Sequence, residues 1–133
     1  MLRVKTKIRP SDTHGTGLFS DEFIPQGTVT WQRDAELDIA IPKEVLNAEP
    51  QIIRDFLLYY CYLDQTLDKY ILCGDNQRYI NHIQDKNKEN ILSTPNQDVA
   101  ARDIQPGEEF LCDYNKFDNT YFERMGIQPH QLH

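Results

Sequence analysis

The chain lacks any run near the roughly 18 consecutive apolar residues of a membrane span, and Met1-Leu2-Arg3-Val4-Lys5 enters an alternating pattern without the apolar block of a secretion signal. A soluble, cytoplasmic protein with no membrane partner is the expectation. Cysteine is scarce. Cys61, Cys73 and Cys112 are too few and too scattered for a disulfide framework, and no Cys-x-x-Cys pair offers a structural zinc site. The four histidines, His14, His82, His130 and His133, show no ligand spacing, so no metal is expected. Basic charge is in deficit: 14 Lys and Arg against 21 Asp and Glu leave a net charge of -7. That argues against direct binding to nucleic-acid phosphates and suits a basic partner, although the same charge also simply keeps a small protein in solution. Internal repeats, linkers and low-complexity blocks are missing too. At 133 residues, one compact domain with a single core is expected over 1–133.

What is present is a succession of short segments. Leu2, Val4, Thr6 and Ile8 alternate with Arg3, Lys5, Lys7 and Arg9, a period of two that predicts a strand ended by Pro10. Ser11 to Gly17 is turn chemistry, Leu18-Phe19 a short strand, Pro25-Gln26-Gly27 a turn and Thr28 to Trp31 a strand, after which Leu37, Ile39 and Ile41 alternate again. From Pro42 the period changes. Ile52, Ile53, Phe56, Leu57, Tyr60 and Leu63 fall at the three-and-four spacing of one helix face, which predicts a short helix over 43–48 and a longer one over 51–63, together a helical insertion of about 42–64. Strand-like runs resume at Tyr70, broken by Gly74-Asp75-Asn76, by the polar tract Gln84 to Asn90, by Pro95-Asn96-Gln97 and by Pro106-Gly107. A last helix capped by Asp118 or Asn119 and stopped at Gly126, followed by a frayed tail to His133, makes up a C-terminal segment of about 115–133. Many short strands around one helical insertion predict a β-rich α+β fold of small sheets.

Three segments carry residues that such a fold does not need. His14-Gly15-Thr16-Gly17 places two glycines one residue apart, which allows close backbone approach to a ligand and equally serves as a plain turn between strands. It lacks the third glycine of a dinucleotide site. Asn81-His82 sits after Arg78-Tyr79-Ile80 and before a polar loop, where an amide and an imidazole can read a ligand or can turn the chain and stay structural. Asp113-Tyr114 ends the run Phe110-Leu111-Cys112, so that Tyr114 either presents a hydroxyl to a pocket or packs at a rim.

The order and separation of these segments resemble the SET-domain family of protein lysine methyltransferases, over residues 2 to 114. His14 to Phe19 is similar to the family's N-terminal glycine motif, and Asp21 to Gly27 to the turn after it. Arg78 to His82 with Asn87 is similar to Arg-Phe-x-Asn-His-Ser-x-x-Pro-Asn, and Ala101 to Tyr114 to the closing Gly-Glu-Glu-Leu-x-x-Asp-Tyr. Ile83 and Lys86 depart from the family's serine and proline.

The resemblance implies a SET-domain fold with a knot-like C-terminal segment, S-adenosylmethionine as cofactor, and methyl transfer to a lysine in a basic protein. His14, Gly15, Thr16, Gly17, Arg78, Asn81, His82 and Tyr114 are the implied cofactor-binding residues. Tyr114 is implied at the reacting centre with Tyr59 as a second catalytic tyrosine; Tyr60 or Tyr62 fits the second position in a shifted register. Tyr59, Cys112 and Phe117 are implied to line the substrate channel, with Tyr121 and Phe122 candidates to close it. Cys112 stands where the family commonly has Tyr or Phe, so a roomier channel and higher methylation states are expected. A catalytically silent domain that binds the cofactor or a basic peptide is the competing function, and a homodimer that completes the substrate site is a further expectation.

Overall fold

The computed structural model describes residues 1–131; the last two, including His133, lie outside the described residues. Its first elements are β1 (Thr6–Pro10) and β2 (Thr16–Ser20), an antiparallel hairpin whose register runs from Thr6 opposite Ser20 to Pro10 opposite Thr16. The turn between them closes with the Ser11 amide donating to the Gly15 carbonyl at 2.8 Å, and Gly15 at φ 47° supplies the left-handed residue it needs. The alternation from Leu2 is therefore only partly a strand. Leu2 makes a single bridge to Trp31, while Ile8 is exposed because β1 is an edge strand with little packed against it.

Next come β3 (Val29–Gln32), β4 (Ile39–Pro42), α1 (Lys43–Ala48) and α2 (Gln51–Tyr60). Pro42 and Pro50 precede the two helices, where a fixed φ and a missing donor cost nothing. The second helix stops three residues before the expected boundary. Cys61 is extended, and Leu63 belongs to β5 (Tyr62–Asp64), which pairs with β6 (Lys69–Leu72) through a turn held by Asp64 Oδ1 accepting from the Thr66 and Leu67 amides. Most of the expected helix face is open as well: Ile52, Ile53 and Phe56 are 80%, 41% and 43% exposed, and only Leu57 is buried within the helix.

The chain then passes through a 3-10 turn at Asn76–Tyr79 into β7 (Asn81–His82), followed by β8 (Ile91–Ser93), β9 (Gln97–Ala100), β10 (Leu111–Cys112) and α3 (Tyr121–Met125). Strands β3, β9 and β8 form one sheet with β9 central; β4, β6 and β5 form another with β6 central. Helix α3 ends at Gly126 in the left-handed conformation, as its sequence predicts, but Thr120 rather than Asp118 or Asn119 occupies the cap position. Asp118 instead accepts from the Thr120 amide at 3.0 Å, tightening the turn into the helix.

Among the described residues the apolar interior is four small clusters instead of the expected single core. Leu18, Ile24, Ile80, Ile91, Ile104, Phe110 and Cys112 make the first; Trp31, Tyr62, Ile71 and Cys73 the second. Sheets of two and three strands cannot cover one another, so each buries its own face, and buried polar residues such as Gln77, Asn81, His82 and Asp98 run between them.

Candidate functional site

Parallel pairing brings the site together. Leu111-Cys112 runs alongside Asn81-His82, and Leu111 is held from its other side by Asn90, whose amide and carbonyl oxygen bond the backbone of Glu109 and Leu111 at 2.8 and 2.9 Å. The closing motif thus threads between the Asn-His segment and the 90-loop. Further back it lies along β2, with the Phe110 amide donating to the Leu18 carbonyl.

Asn81 is the hub of three segments. Its Nδ2 lies 2.8 Å from the His14 carbonyl, 3.2 Å from the Thr16 carbonyl and 2.9 Å from Glu109 Oε2. Glu109, to which the sequence assigned no role, also accepts from the Ser11 hydroxyl. A side-chain amide with its donors spent on both partners fixes the glycine turn against the closing motif.

Gly17 is explained by this packing. It is buried off the cavity walls, and a Cβ there would collide with the Glu109 carboxylate. Because Ser11 and Asn81 hold that carboxylate, it has little freedom to swing away. Gly17→Ala is expected to cost about 1–3 kcal/mol of stability, the usual penalty of overpacking, measured by chemical denaturation.

His82 likewise sits away from both cavities described below. Its Nδ1 accepts from the Tyr114 amide at 3.1 Å, and its ring packs 5.2 Å from Tyr114 and 4.8 Å from Phe122. Burial lowers its pKa, with Asp113 and Glu89 opposing, and an accepting Nδ1 requires the neutral ring. The 3.7 Å approach of Asp113 is therefore no ion pair. His82 orients the chain at Tyr114.

Two cavities meet at one tyrosine wall. The larger, about 280 Å³, is lined by His14, Gly15, Thr16, Arg78 and Asn81 together with Tyr79 and Ile80. The narrower, about 60 Å³, is lined by Tyr62, Phe117 and Cys61 and by Trp31, Gln77, Ser93 and Asp98. Tyr59, Tyr60, Tyr114, Tyr121, Arg78 and Ile80 line both. Tyr114 donates its hydroxyl to the Ile80 carbonyl at 2.5 Å, and its enclosed position pushes the phenol well above its ordinary pKa, so it stays protonated. The Tyr59 hydroxyl bonds His14 Nε2 at 2.6 Å, and Tyr121 donates to the Tyr59 carbonyl at 3.1 Å. Tyr60 and Tyr62 reach the narrower cavity as Tyr59 does.

Phe117 lies between Tyr62 and Tyr114, at 5.6 and 5.7 Å, and lines the narrower cavity. Cys112 does not. It is fully buried among Leu18, Ile91, Ile104 and Phe110, so its small side chain leaves the channel no wider, and the reason for expecting higher methylation states disappears. Phe122 packs behind Tyr114 against His82 and does not close the channel.

The residue least expected on the wall is Asp98, 3% exposed, with Gln77 Nε2 donating to its Oδ2 at 2.5 Å. Burial raises its pKa from the ordinary carboxylate value to about 7, with the Gln77 amide pulling it back. Between about pH 4 and 7 the folded protein therefore holds a proton that the unfolded chain has released, so protonation favours the fold and stability falls as pH rises through about 7. Asp98→Asn has no proton to lose. The difference in stability between the variant and the parent is expected to move in favour of the variant from pH 5 to pH 8, by about 2.5–3 kcal/mol for the two pH units of that window lying below 7, read from denaturation curves at both pH values.

The SET-domain family model matches residues 15–115. The chain belongs to the SET-domain family, which generally comprises lysine methyltransferases that use S-adenosylmethionine. Among solved structures, a humanized mutant of the Chaetomium thermophilum Polycomb Repressive Complex 2 bound to the inhibitor GSK126 is similar at 21% identity and a TM-score of 0.65, covering 90% of this chain and 16% of that one. A ctPRC2 structure in an autoinhibited conformation bound to S-adenosylmethionine is similar at 18% identity and 0.65, covering 98% of this chain and 19% of that one. The chain thus spans less than a fifth of the length of these relatives, and the likeness establishes the fold, several small β-sheets around few helices. Among curated proteins, none matches the sequence.

Proposed function

We propose that the chain transfers a methyl group from S-adenosylmethionine to the side-chain amine of a lysine in a basic protein. The observation that carries this reading is the wall shared by two cavities, with Tyr114 between a larger chamber and a narrow aromatic channel. S-adenosylmethionine fits the larger chamber in its chemistry: the ligand carries an ammonium, a carboxylate and an adenine, and the chamber offers Gly15 and Thr16 backbone, the Arg78 guanidinium and a buried His14 Nδ1 with no hydrogen-bond partner. One of the relatives is itself bound to this cofactor. When bound, the cofactor supplies an electrophilic methyl group on a sulfonium.

The remaining work falls to the chain. Tyr62, Phe117, Tyr121 and Tyr59 confine an extended alkyl side chain, and Tyr114, its proton directed to Ile80, keeps oxygen lone pairs at the junction to align the amine. The net charge of -7 favours approach of a lysine-rich segment. Calorimetric titration with S-adenosylmethionine, then incubation with core histones, ribosomal proteins and an array of basic peptides and methyl-labelled cofactor, tests the proposal. Label on lysine is the expected result. Cofactor binding with no transfer to any of these substrates would instead favour the silent domain.

A further inference from the structure

One part of the narrow channel's lining is polar where a sheet interior is ordinarily apolar. Asp98 sits in the central strand of its sheet with Trp31 opposite it on one side and Ser93 on the other, so the three side chains form a row on one face. All three are buried and line the channel, as does Gln77, whose amide bonds the Asp98 carboxyl. One member of the row, Trp31 Nε1, has no hydrogen-bond partner although it is shut off from solvent, while Ser93 acts on the Asp98 carboxyl. Buried polar groups are normally satisfied, so a channel lined by an unpartnered donor beside a carboxyl is built to meet a polar guest.

The guest expected there has a proton to lose. A lysine amine with its ordinary pKa near ~10.4 arrives as an ammonium, which has no lone pair for attack. An aromatic channel disfavours the charged form without saying where the proton goes. We propose that Asp98 is the proton acceptor for the substrate lysine. An N–H bond of the ammonium breaks, an O–H bond forms on the Asp98 carboxylate, and the freed lone pair remains on the amine. Water in the part of the channel that the lysine side chain leaves open relays the proton from amine to carboxylate. After methyl transfer the product leaves as a methylammonium, and Asp98 returns its proton to solvent through the channel mouth, so each turnover releases one proton.

The surroundings suit that duty. Besides Gln77 and Ser93, the titratable groups acting on Asp98 are the Cys73 and Cys112 thiols, which burial pushes up and so keeps neutral, and the Met1 ammonium, which favours the carboxylate. Burial sets the Asp98 carboxyl near neutral pH, where a group can both take and return a proton.

This inference rests on the methyltransferase reading, and its test separates the two. With the best-methylated peptide of the array, kcat/KM of the parent is expected to rise as pH passes through about 7. Asp98→Asn is expected to lose that limb and about 10²-fold or more in rate at neutral pH, with cofactor affinity retained. A second measurement needs no variant and no turnover. Peptide binding to the parent, followed by calorimetry in buffers of different ionisation enthalpy, is expected to release close to one proton at pH 6, where Asp98 begins protonated, and almost none at pH 8. Proton release that does not change between these pH values, or an Asp98→Asn rate within threefold of the parent with the same pH profile, overturns the proposal. A parent protein that transfers no methyl group at any pH overturns the function itself and this inference with it.

Discussion

Tyr114→Phe is expected to lower methyl transfer by about 10²–10³-fold while S-adenosylmethionine still binds, the cost of removing one preorganised polar group from a reacting centre. The phenol lies on the wall common to both cavities and is held from several sides: its hydroxyl bonds Ile80, its amide bonds His82, and its ring meets Tyr121 at 5.1 Å and Phe117 at 5.7 Å. Phenylalanine keeps those ring contacts and loses only the oxygen. It also leaves the Ile80 carbonyl without the tyrosine donor, for which about 1–3 kcal/mol of stability is the expected cost. Single-turnover rates below the melting transition, beside calorimetric cofactor affinity, separate the two effects. A variant that turns over within threefold of the parent would show that the oxygen does not work at the junction.

The legible part of this site was the part written in contiguous motifs. Gly15, Asn81 and Tyr114 stand where the short segments announce them, because a turn with positive φ, a polar pair at a strand and a strand-end tyrosine are local features. Gly17 and His82 were legible as special, but not the packing that holds them. Their partners, Glu109 and Tyr114, arrive from far along the chain by the parallel pairing of β10 with β7, which no periodicity reports.

Asp98 was invisible for a different reason. Gln97-Asp98-Val99-Ala100 read by hydropathy turns Val99 inward and Asp98 outward, yet the observed register buries Asp98 and Ala100. In a strand the side chains alternate, so seating Ala100 in the cluster with Ile91 sends Asp98 to the same face. Helix α2 fails in the opposite sense: its apolar spacing correctly marks a helix, but Ile52 and Phe56 face outward and Leu63 has already entered β5. Spacing detects a repeating face; it does not say that anything covers it.

Arg124→Ala is expected to destabilise the fold by about 3–5 kcal/mol, because it leaves the Asp118 charge buried without its partner. Asp118 is 1% exposed, and Arg124 NH1 reaches its Oδ2 at 2.6 Å. The carboxylate also accepts from the Leu63 amide at 2.9 Å and the Thr120 hydroxyl at 2.6 Å, while Arg124 NH2 donates to the Cys61 carbonyl at 2.6 Å. One ion pair thus ties α3 to the end of α2 and the start of β5, and its guanidinium lies over the Tyr70 and Tyr121 rings at 5.3 and 5.0 Å. For a chain of this size the loss corresponds to a fall in Tm of about 10–20 °C, read by thermal denaturation. Replacing both residues by leucine is expected to cost less than the sum of the single changes, since no charge is then stranded. Activity follows stability here, because Tyr121 on α3 fixes Tyr59 across the cavity wall. Below its melting transition, Arg124→Ala is therefore also expected to turn over more slowly than the parent. A variant with unchanged Tm would show that the pair contributes nothing beyond what its neighbours already supply.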